Sequence, residues 1–160
     1  MRTITLDTNV ADCPEVIEAA QRRGLEIAAI SVTDREMRLS AYRPGVDARI
    51  LETLALGESE FGTMGLGSEI EPDLFEQLLH IISNGSFPKP GSRDDLTPPQ
   101  RRQLRDAMML LAHVRAHRDL FVSNDIRAFL GHGRRDKLES LLGTRIMTAP
   151  EFLQWAEENP

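Results

Sequence analysis

ITLDTN, at residues 4–9, is a short apolar run that stops at an acid, Asp7, and two small polar residues. This pattern is typical of a buried strand that ends in a functional loop. A helix start follows at residues 12–15, Gly24 is a typical C-terminal stop, and residues 25–32 are rich in Ile, Val and Ala. The order strand, helix, strand predicts a parallel sheet with a right-handed crossover.

The second half of the chain repeats this alternation of helices and strands. TPPQ at residues 97–100 combines a capping box with proline in the first turn, which predicts a helix to about His117. The elements that follow are predicted at residues 120–123 (strand), 137–142 (helix), 145–147 (strand) and 148 onward (a capped helix). We therefore expect an α/β fold, a single domain over residues 1–160 with a central parallel sheet of about four strands flanked by helices.

Residues 41–96 are predicted to form an insertion of helices and loops within this domain. A helical pattern covers about residues 48–56, and a second helix over residues 72–83 is closed by Asn84-Gly85. Residues 87–99 are rich in Pro, Gly and Asp, which predicts an exposed loop and the one candidate hinge of the chain.

Composition indicates a globular protein of a reducing compartment. The chain has 160 residues, of which 41% are hydrophobic and 28% charged, and its only cysteine is Cys13. No apolar run approaches the roughly 20 residues that cross a bilayer, and residues 1–10 lack the apolar core of a signal peptide. We expect a cytoplasmic protein without a membrane segment. The net charge of -6 argues against binding nucleic acid through a general positive field, unless bound cations reverse the local sign.

Four acids lie at or near the predicted carboxyl ends of strands. Asp7 ends the first strand, and Asp125 lies just past the third. Glu36 is in the first helical turn after the second strand, and Asp106 lies in the helix that leads to the third. In an open parallel sheet, functional groups collect at this edge. Clustered carboxylates repel one another unless a cation binds, and Mg²⁺ and Mn²⁺ prefer oxygen ligands, so a cluster of these acids implies a divalent metal site.

Short motifs occur in one order along these elements: LDTN at residues 6–9, SVT at 31–33 with Glu36, Asp106-Ala107, FVSND at 121–125 with Phe129, and TAPEFL at 148–153. Together they resemble the PIN-domain family and are similar to the VapC-type toxin ribonucleases. The resemblance implies cleavage of RNA with Mg²⁺ or Mn²⁺, and an antitoxin protein as a partner. The metal ligands it implies, direct or through water, are Asp7, Glu36, Asp106 and Asp125, and the residues that would orient them are Thr8, Asn9 and Ser123. We further expect a homodimer.

Other interpretations of these acids stay open. Residues 33–36 also form an ordinary capping box, and Asp125 is also placed to cap a turn. A PIN-fold scaffold that no longer cleaves RNA would lack one of the acids, whereas all four are present. A phosphatase similar to the haloacid dehalogenases, with Asp7 as nucleophile, would need a second acid two residues on, where Asn9 stands.

Histidines and basic side chains of the second half are the remaining candidates. His113 and His117 have a spacing that can bind a metal ion, but His113 lies about 10 Å along the helix axis from Asp106, which argues against a shared ion. Candidates for RNA phosphate contacts, or for ordinary solvated charge, are Arg101, Arg102, Arg105, Arg115, Arg118, Arg134, Arg135 and Lys137.

Overall fold

A computed structural model of the protein describes residues 2–30, 49–51 and 72–159. Its elements, in chain order, are β1 (Thr3–Leu6), α1 (Pro14–Arg22), β2 (Glu26–Ile30), β3 (Arg49–Leu51), α2 (Pro72–Ser83), α3 (Pro98–Arg115), β4 (Leu120–Val122), a π-helical turn (Ile126–Leu130), α4 (Arg134–Leu142), β5 (Arg145–Met147) and α5 (Ala149–Glu158). The predicted site residue Glu36 and most of the predicted insertion before α2 lie outside the described residues. No described helix is long and apolar enough to span a bilayer.

Five strands of the described residues form one sheet in the order β3-β2-β1-β4-β5. The central strand β1 pairs with β2 on one side and with β4 on the other. All pairings are parallel, so every strand directs its carboxyl end to the same edge of the sheet. Parallel neighbours need crossover connections, which are usually helical, and helices flank this sheet. The predicted α/β class is confirmed.

The strand β3 shows that the helix predicted over about residues 48–56 is wrong at its start, and residues 52–56 lie outside the described residues. With β3, the described residues contain five strands, where about four were predicted. Residues 49–51 pair in parallel with β2, with Ile50 opposite Ala29. An apolar run this short carries too little periodicity to separate helix from strand. Pairing with the outer side of β2 provides the backbone hydrogen bonds that decide the outcome.

The central strands β1 and β4 are buried on both faces, as expected for parallel strands covered by helices. On one face Ile4 packs with residues of α1 and α5, where Phe152 stacks on Trp155. On the other face Phe121 packs with residues of α2, α3 and α4, and its ring lies 5.2 Å from that of Phe129 between centroids. The sheet is therefore held between two apolar cores.

Helix boundaries follow the predicted caps. The hydroxyl of Thr97 accepts from the N–H of Gln100, whose side chain accepts from the N–H of Thr97, and this capping box starts α3. Thr148 and Glu151 form a second capping box at the start of α5. The helix α2 is followed by Asn84-Gly85, as predicted, and both residues have positive φ. The predicted helices of the described second half are present, and α4 begins at Arg134, before its predicted start at residue 137.

The loop between α2 and α3 is attached to α2 through Arg93. Its guanidinium donates to both carboxylate oxygens of Glu76, at 2.8 and 2.7 Å, and its Nε donates to the carbonyl of Pro88 at 2.9 Å. The same guanidinium lies 5.1 Å from the ring centroid of Phe87. The connection is irregular and largely exposed, as predicted, and the candidate hinge is anchored to α2 by these contacts.

His113 is a buried structural residue. Its Nδ1 lies 2.9 Å from the hydroxyl of Thr5 and its Nε2 lies 2.6 Å from the hydroxyl of Thr144. Burial, with the positive charge of Arg118, lowers the pKa of His113 to about 4. Because hydroxyls occupy both ring nitrogens, the metal-binding spacing of His113 and His117 is not used for an ion here.

The buried, neutral His113 predicts a loss of stability in acid. An unfolded histidine titrates near 6.5 and the folded one near 4, so the free energy of unfolding falls as the pH drops from about 6.5 to about 4. The variant His113→Gln is less stable at neutral pH, but it lacks the fall in the free energy of unfolding that protonation of His113 causes in acid. Urea unfolding at about pH 7.5 and about pH 4.5 measures it, and we expect the stability gap between wild type and variant to narrow in acid. An equal gap at both pH values contradicts the prediction.

Candidate active site

The carboxyl ends of β1 and β4 bring Asp7 and Ser123 side by side. Leu6 pairs with Val122 in the parallel ladder, and the N–H of Asp7 donates to the carbonyl of Val122 at 3.0 Å. The pairing continues onto Asp7, which is 4% exposed, and next to it Ser123 is fully buried. This is the edge of the sheet at which the acids were expected.

The hydroxyl of Ser123 joins two of the predicted acids. It donates to Asp7 Oδ2 at 2.5 Å and accepts from the backbone N–H of Asp125 at 3.0 Å. Asp7 Oδ2 also accepts from the side chain of Asn9 at 2.9 Å, and Asp7 Oδ1 accepts from the backbone N–H of Thr8 at 2.6 Å. All three residues that the resemblance assigns to orienting roles therefore hydrogen-bond to Asp7.

A second chain of hydrogen bonds ties this edge to α5. The N–H of Asn124 donates to Asn9 Oδ1 at 3.0 Å, and Asn124 Oδ1 accepts from the N–H of Ala149 at 3.0 Å. Because Ala149 is the first residue of α5, the start of that helix fixes the loop after β4. Sequence reasoning missed Asn124, and its place between Ser123 and Asp125 was the only available signal.

Asp125 caps the π-helical turn in addition to its place at the site. Its Oδ1 accepts from the backbone N–H groups of Arg127 and Ala128, each at 2.8 Å. The turn-cap interpretation of Asp125 is therefore correct, and these two bonds fix the orientation of the carboxylate. The turn itself was not predicted, and such π-helical turns are rare but frequent at functional sites.

Asp106, on α3, is a carboxylic acid buried within the fold. It is 8% exposed. Burial, followed by the negative charges of Asp125 and Asp7, raises the pKa of Asp106 to about 7, and Arg105 and Arg102 offset only part of this rise. A buried acid that titrates near neutrality beside other acids is typical of a functional site. Three of the predicted acids therefore share one electrostatic environment.

The oxygen atoms of this site suit a hard divalent cation that keeps part of its water shell. In the part of the chain that the structure describes, no group of three or more Asp, Glu, His or Cys side chains is placed to hold a metal ion together. Mg²⁺ is usually bound through one or two carboxylates plus waters, so the carboxylates of Asp7, Asp106 and Asp125 are donors of a suitable chemical kind. The fourth predicted ligand, Glu36, lies outside the described residues.

Two of the predicted RNA-contacting arginines have structural partners instead. Arg118 is buried, donates to the carboxylate of Glu26 at 2.9 Å, and donates to the backbone carbonyls of Ile4 and Glu26. Neither alternative given for this residue, a phosphate contact or a solvated charge, holds for Arg118, because it is buried with its charge used at the opposite edge of the sheet. Arg135 forms an ion pair with Glu151 at 2.8 Å, which links α4 to α5.

Neither a comparison with protein-family models nor one with curated proteins gave a match. The resemblance to the PIN-domain family accordingly stays a prediction that rests on the motifs quoted above. The structure itself shows an α/β chain with a parallel sheet flanked by helices.

Asp106 predicts a pH dependence opposite to that of His113. Its folded pKa of about 7 lies above its ordinary value of 3.8, so its stabilising contribution is complete below about pH 4 and is lost as the pH rises through about 7. Asp106→Asn has no ionisable group at this position, so it does not lose stability as the pH rises through about 7. We expect the metal-free variant to melt at least about 2–4 °C above wild type at about pH 8, and to lose this advantage at about pH 4.

Thermal unfolding in EDTA measures this difference, with Asp136→Asn as the matched control. Asp136 is an exposed acid on α4, so its variant should melt like wild type at both pH values. If the melting temperature of Asp106→Asn exceeds that of wild type by the same amount at both pH values, burial and repulsion of the Asp106 carboxylate are not the cause.

Proposed function

We propose that this chain is a metal-dependent endoribonuclease of the PIN-domain type, which hydrolyses RNA phosphodiester bonds with Mg²⁺ or Mn²⁺. The observation that carries the proposal is the environment of Asp106, whose pKa is raised by burial and by the charges of Asp125 and Asp7, while Ser123 links the carboxylate of Asp7 to the backbone N–H of Asp125. Acids gathered in this way repel one another, which raises the free energy of the native state. Such an arrangement is expected where a bound cation compensates the charge.

The protonation of Asp106 supports a cation at this site. With its pKa raised to about 7, this carboxyl group is about half protonated at neutral pH. A divalent cation stabilises the charged form of nearby carboxylates, so its binding releases a proton. We expect metal affinity to increase with pH across neutrality for this reason.

The residues of the site have distinct tasks in this proposal. Asp7 contacts the ion directly or through water, in an orientation held by Ser123 and Asn9. Asp125 does the same, with its carboxylate fixed by backbone N–H groups. Asp106 and Glu36 complete the set of acids. When bound, a divalent ion in such a site lowers the pKa of a water molecule and offsets charge on the phosphate.

Exposed arginines near the acids support a phosphate-bearing substrate. Arg102 and Arg105, on α3, lie close enough to Asp106 to lower its pKa, and Arg127 follows Asp125 by two residues. Arginine pairs readily with phosphate oxygens. The net charge of the whole chain is -6, so its general surface does not attract RNA. Local arginines and bound cations would instead favour RNA binding at this edge of the sheet.

The partners and the location stay predictions. They are an RNA substrate, an antitoxin protein and a second copy of the chain, in the cytoplasm. A small open reading frame immediately upstream that encodes a DNA-binding antitoxin would favour the toxin role. Its absence would favour a housekeeping nuclease.

Cleavage assays with metal added and removed test the proposed activity. We expect the purified protein to cut single-stranded RNA with Mg²⁺ or Mn²⁺ and to stop in EDTA. Asp7→Asn keeps the size of the side chain and removes its charge. The loss of cleavage activity should therefore exceed the roughly 10- to 100-fold loss that is typical of groups that only orient a metal ligand. The control Asp136→Asn changes an exposed acid that is not among the charges that shift the pKa of Asp106, and it should retain full activity.

Metal binding gives a second readout for the same variants. By linkage, Mg²⁺ should raise the melting temperature of wild type more than that of Asp7→Asn. Undiminished cleavage in EDTA, or an equal Mg²⁺-induced shift in both proteins, contradicts the metal-ligand role of Asp7. A preserved shift without cleavage of a broad RNA panel favours the PIN-fold scaffold that binds without cutting.

A further inference from the structure

Ile126 is exposed beside the acidic site. The residue is 67% exposed, and within residues 2–28 and 73–159 no other large apolar residue is exposed. It directly follows Asp125 and is the first residue of the π-helical turn. A single exposed apolar residue is ordinary on a protein surface, so its meaning depends on what fixes it and what surrounds it.

The π-helical turn holds Ile126 outward on an anchored backbone. The carbonyl of Ile126 accepts from the N–H of Gly131 at 2.7 Å. A Cβ atom at position 131 would lie 2.8 Å from that carbonyl oxygen, so glycine is needed for the turn to close. Within the same turn, Phe129 is fully buried against Phe121. Ile126 therefore cannot turn inward without breaking these contacts.

Positive charge accompanies this apolar side chain. Arg127, the next residue, is exposed, and the exposed Arg102 on α3 lies close enough to Asp106 to act on its pKa. The surface near the acids thus offers one apolar contact together with cationic groups. A nucleotide carries the matching pair of features, an apolar base face and an anionic phosphate.

We propose that Ile126 and Arg127 dock one nucleotide of a single-stranded RNA next to the scissile phosphate, with Ile126 against the base and Arg127 on the phosphate. The inference rests on the proposed nuclease function. Base faces are accessible in single strands and stacked in duplexes, so this contact favours unpaired RNA. A protein partner fits less well, because a stable interface covers about 800 Å² of each partner and one apolar side chain supplies a small part of that.

RNA-binding measurements on two variants test this docking contact. The Asp7→Asn substitution is included in every protein, with Mg²⁺ present, so that the RNA stays uncleaved. Ile126→Ala should weaken binding of a short single-stranded RNA about fivefold, and should leave binding of an abasic ribose-phosphate oligomer unchanged. Arg127→Gln should weaken binding of both ligands and reduce the salt dependence of log affinity by about 0.7.

A matched control is Arg145→Gln. Arg145 is an exposed arginine at the first residue of β5, on the opposite edge of the sheet, so its variant should bind both ligands like the parent protein. Equal weakening by this variant would assign the effect of Arg127→Gln to general charge, and would overturn the phosphate contact.

Cleavage by proteins that retain Asp7 separates this inference from the proposed function. If wild type cleaves RNA with Mg²⁺, and Ile126→Ala and Arg127→Gln bind and cleave as wild type does, the inference is overturned while the function stands. If wild type neither binds nor cleaves RNA, both are overturned. If Ile126→Ala changes the oligomeric state and not the RNA affinity, Ile126 belongs to a protein interface and the inference is overturned.

Discussion

The parallel pairing of β1 with β4 sets the position of the groups in the candidate site. Its register puts Leu6 opposite Val122, so Asp7 and Ser123 leave the two strands side by side. Side chains alternate along a strand, and a slip of one residue would turn Asp7 into the apolar core that Ile4 builds with α1 and α5. Because apolar residues on both faces fix this register, the site depends on the core for its geometry.

The same alternation explains why α3 supplies both a structural histidine and a site acid. Thr5 and Asp7 lie on one face of β1, where His113 contacts Thr5 and Asp106 is within electrostatic reach of Asp7. His113 and Asp106 are seven residues apart, about two turns along one side of the helix. The helix therefore runs antiparallel to β1 across this face, with a neutral hydrogen-bonded group at one end and the acids at the other.

Elements with local signals were predictable from the sequence, and elements that depend on distant contacts were not. The capping boxes at Thr97 and Thr148 set helix starts through bonds between residues three apart, so the observed boundaries follow the sequence pattern. The strand β3 depends on its pairing with β2, and the π-helical turn depends on the burial of Phe129, so neither has a periodic signal. Arg118 has the sequence pattern of an exposed helix-end charge, yet its partners come from β1 and β2.

The candidate site divides in the same way. Asp7 is predictable, because it ends a buried strand at the edge where functional groups collect. Asp106 stays open in the sequence, since it lies off the apolar stripe of its helix, and the packing of α3 over β1 decides that this side faces acids and not water. Asn124 is hidden, because its bonds to Asn9 and Ala149 exist only once β4 and α5 are in place. Local pattern thus predicts which acids are available, and tertiary packing decides which of them become neighbours whose charges must be compensated.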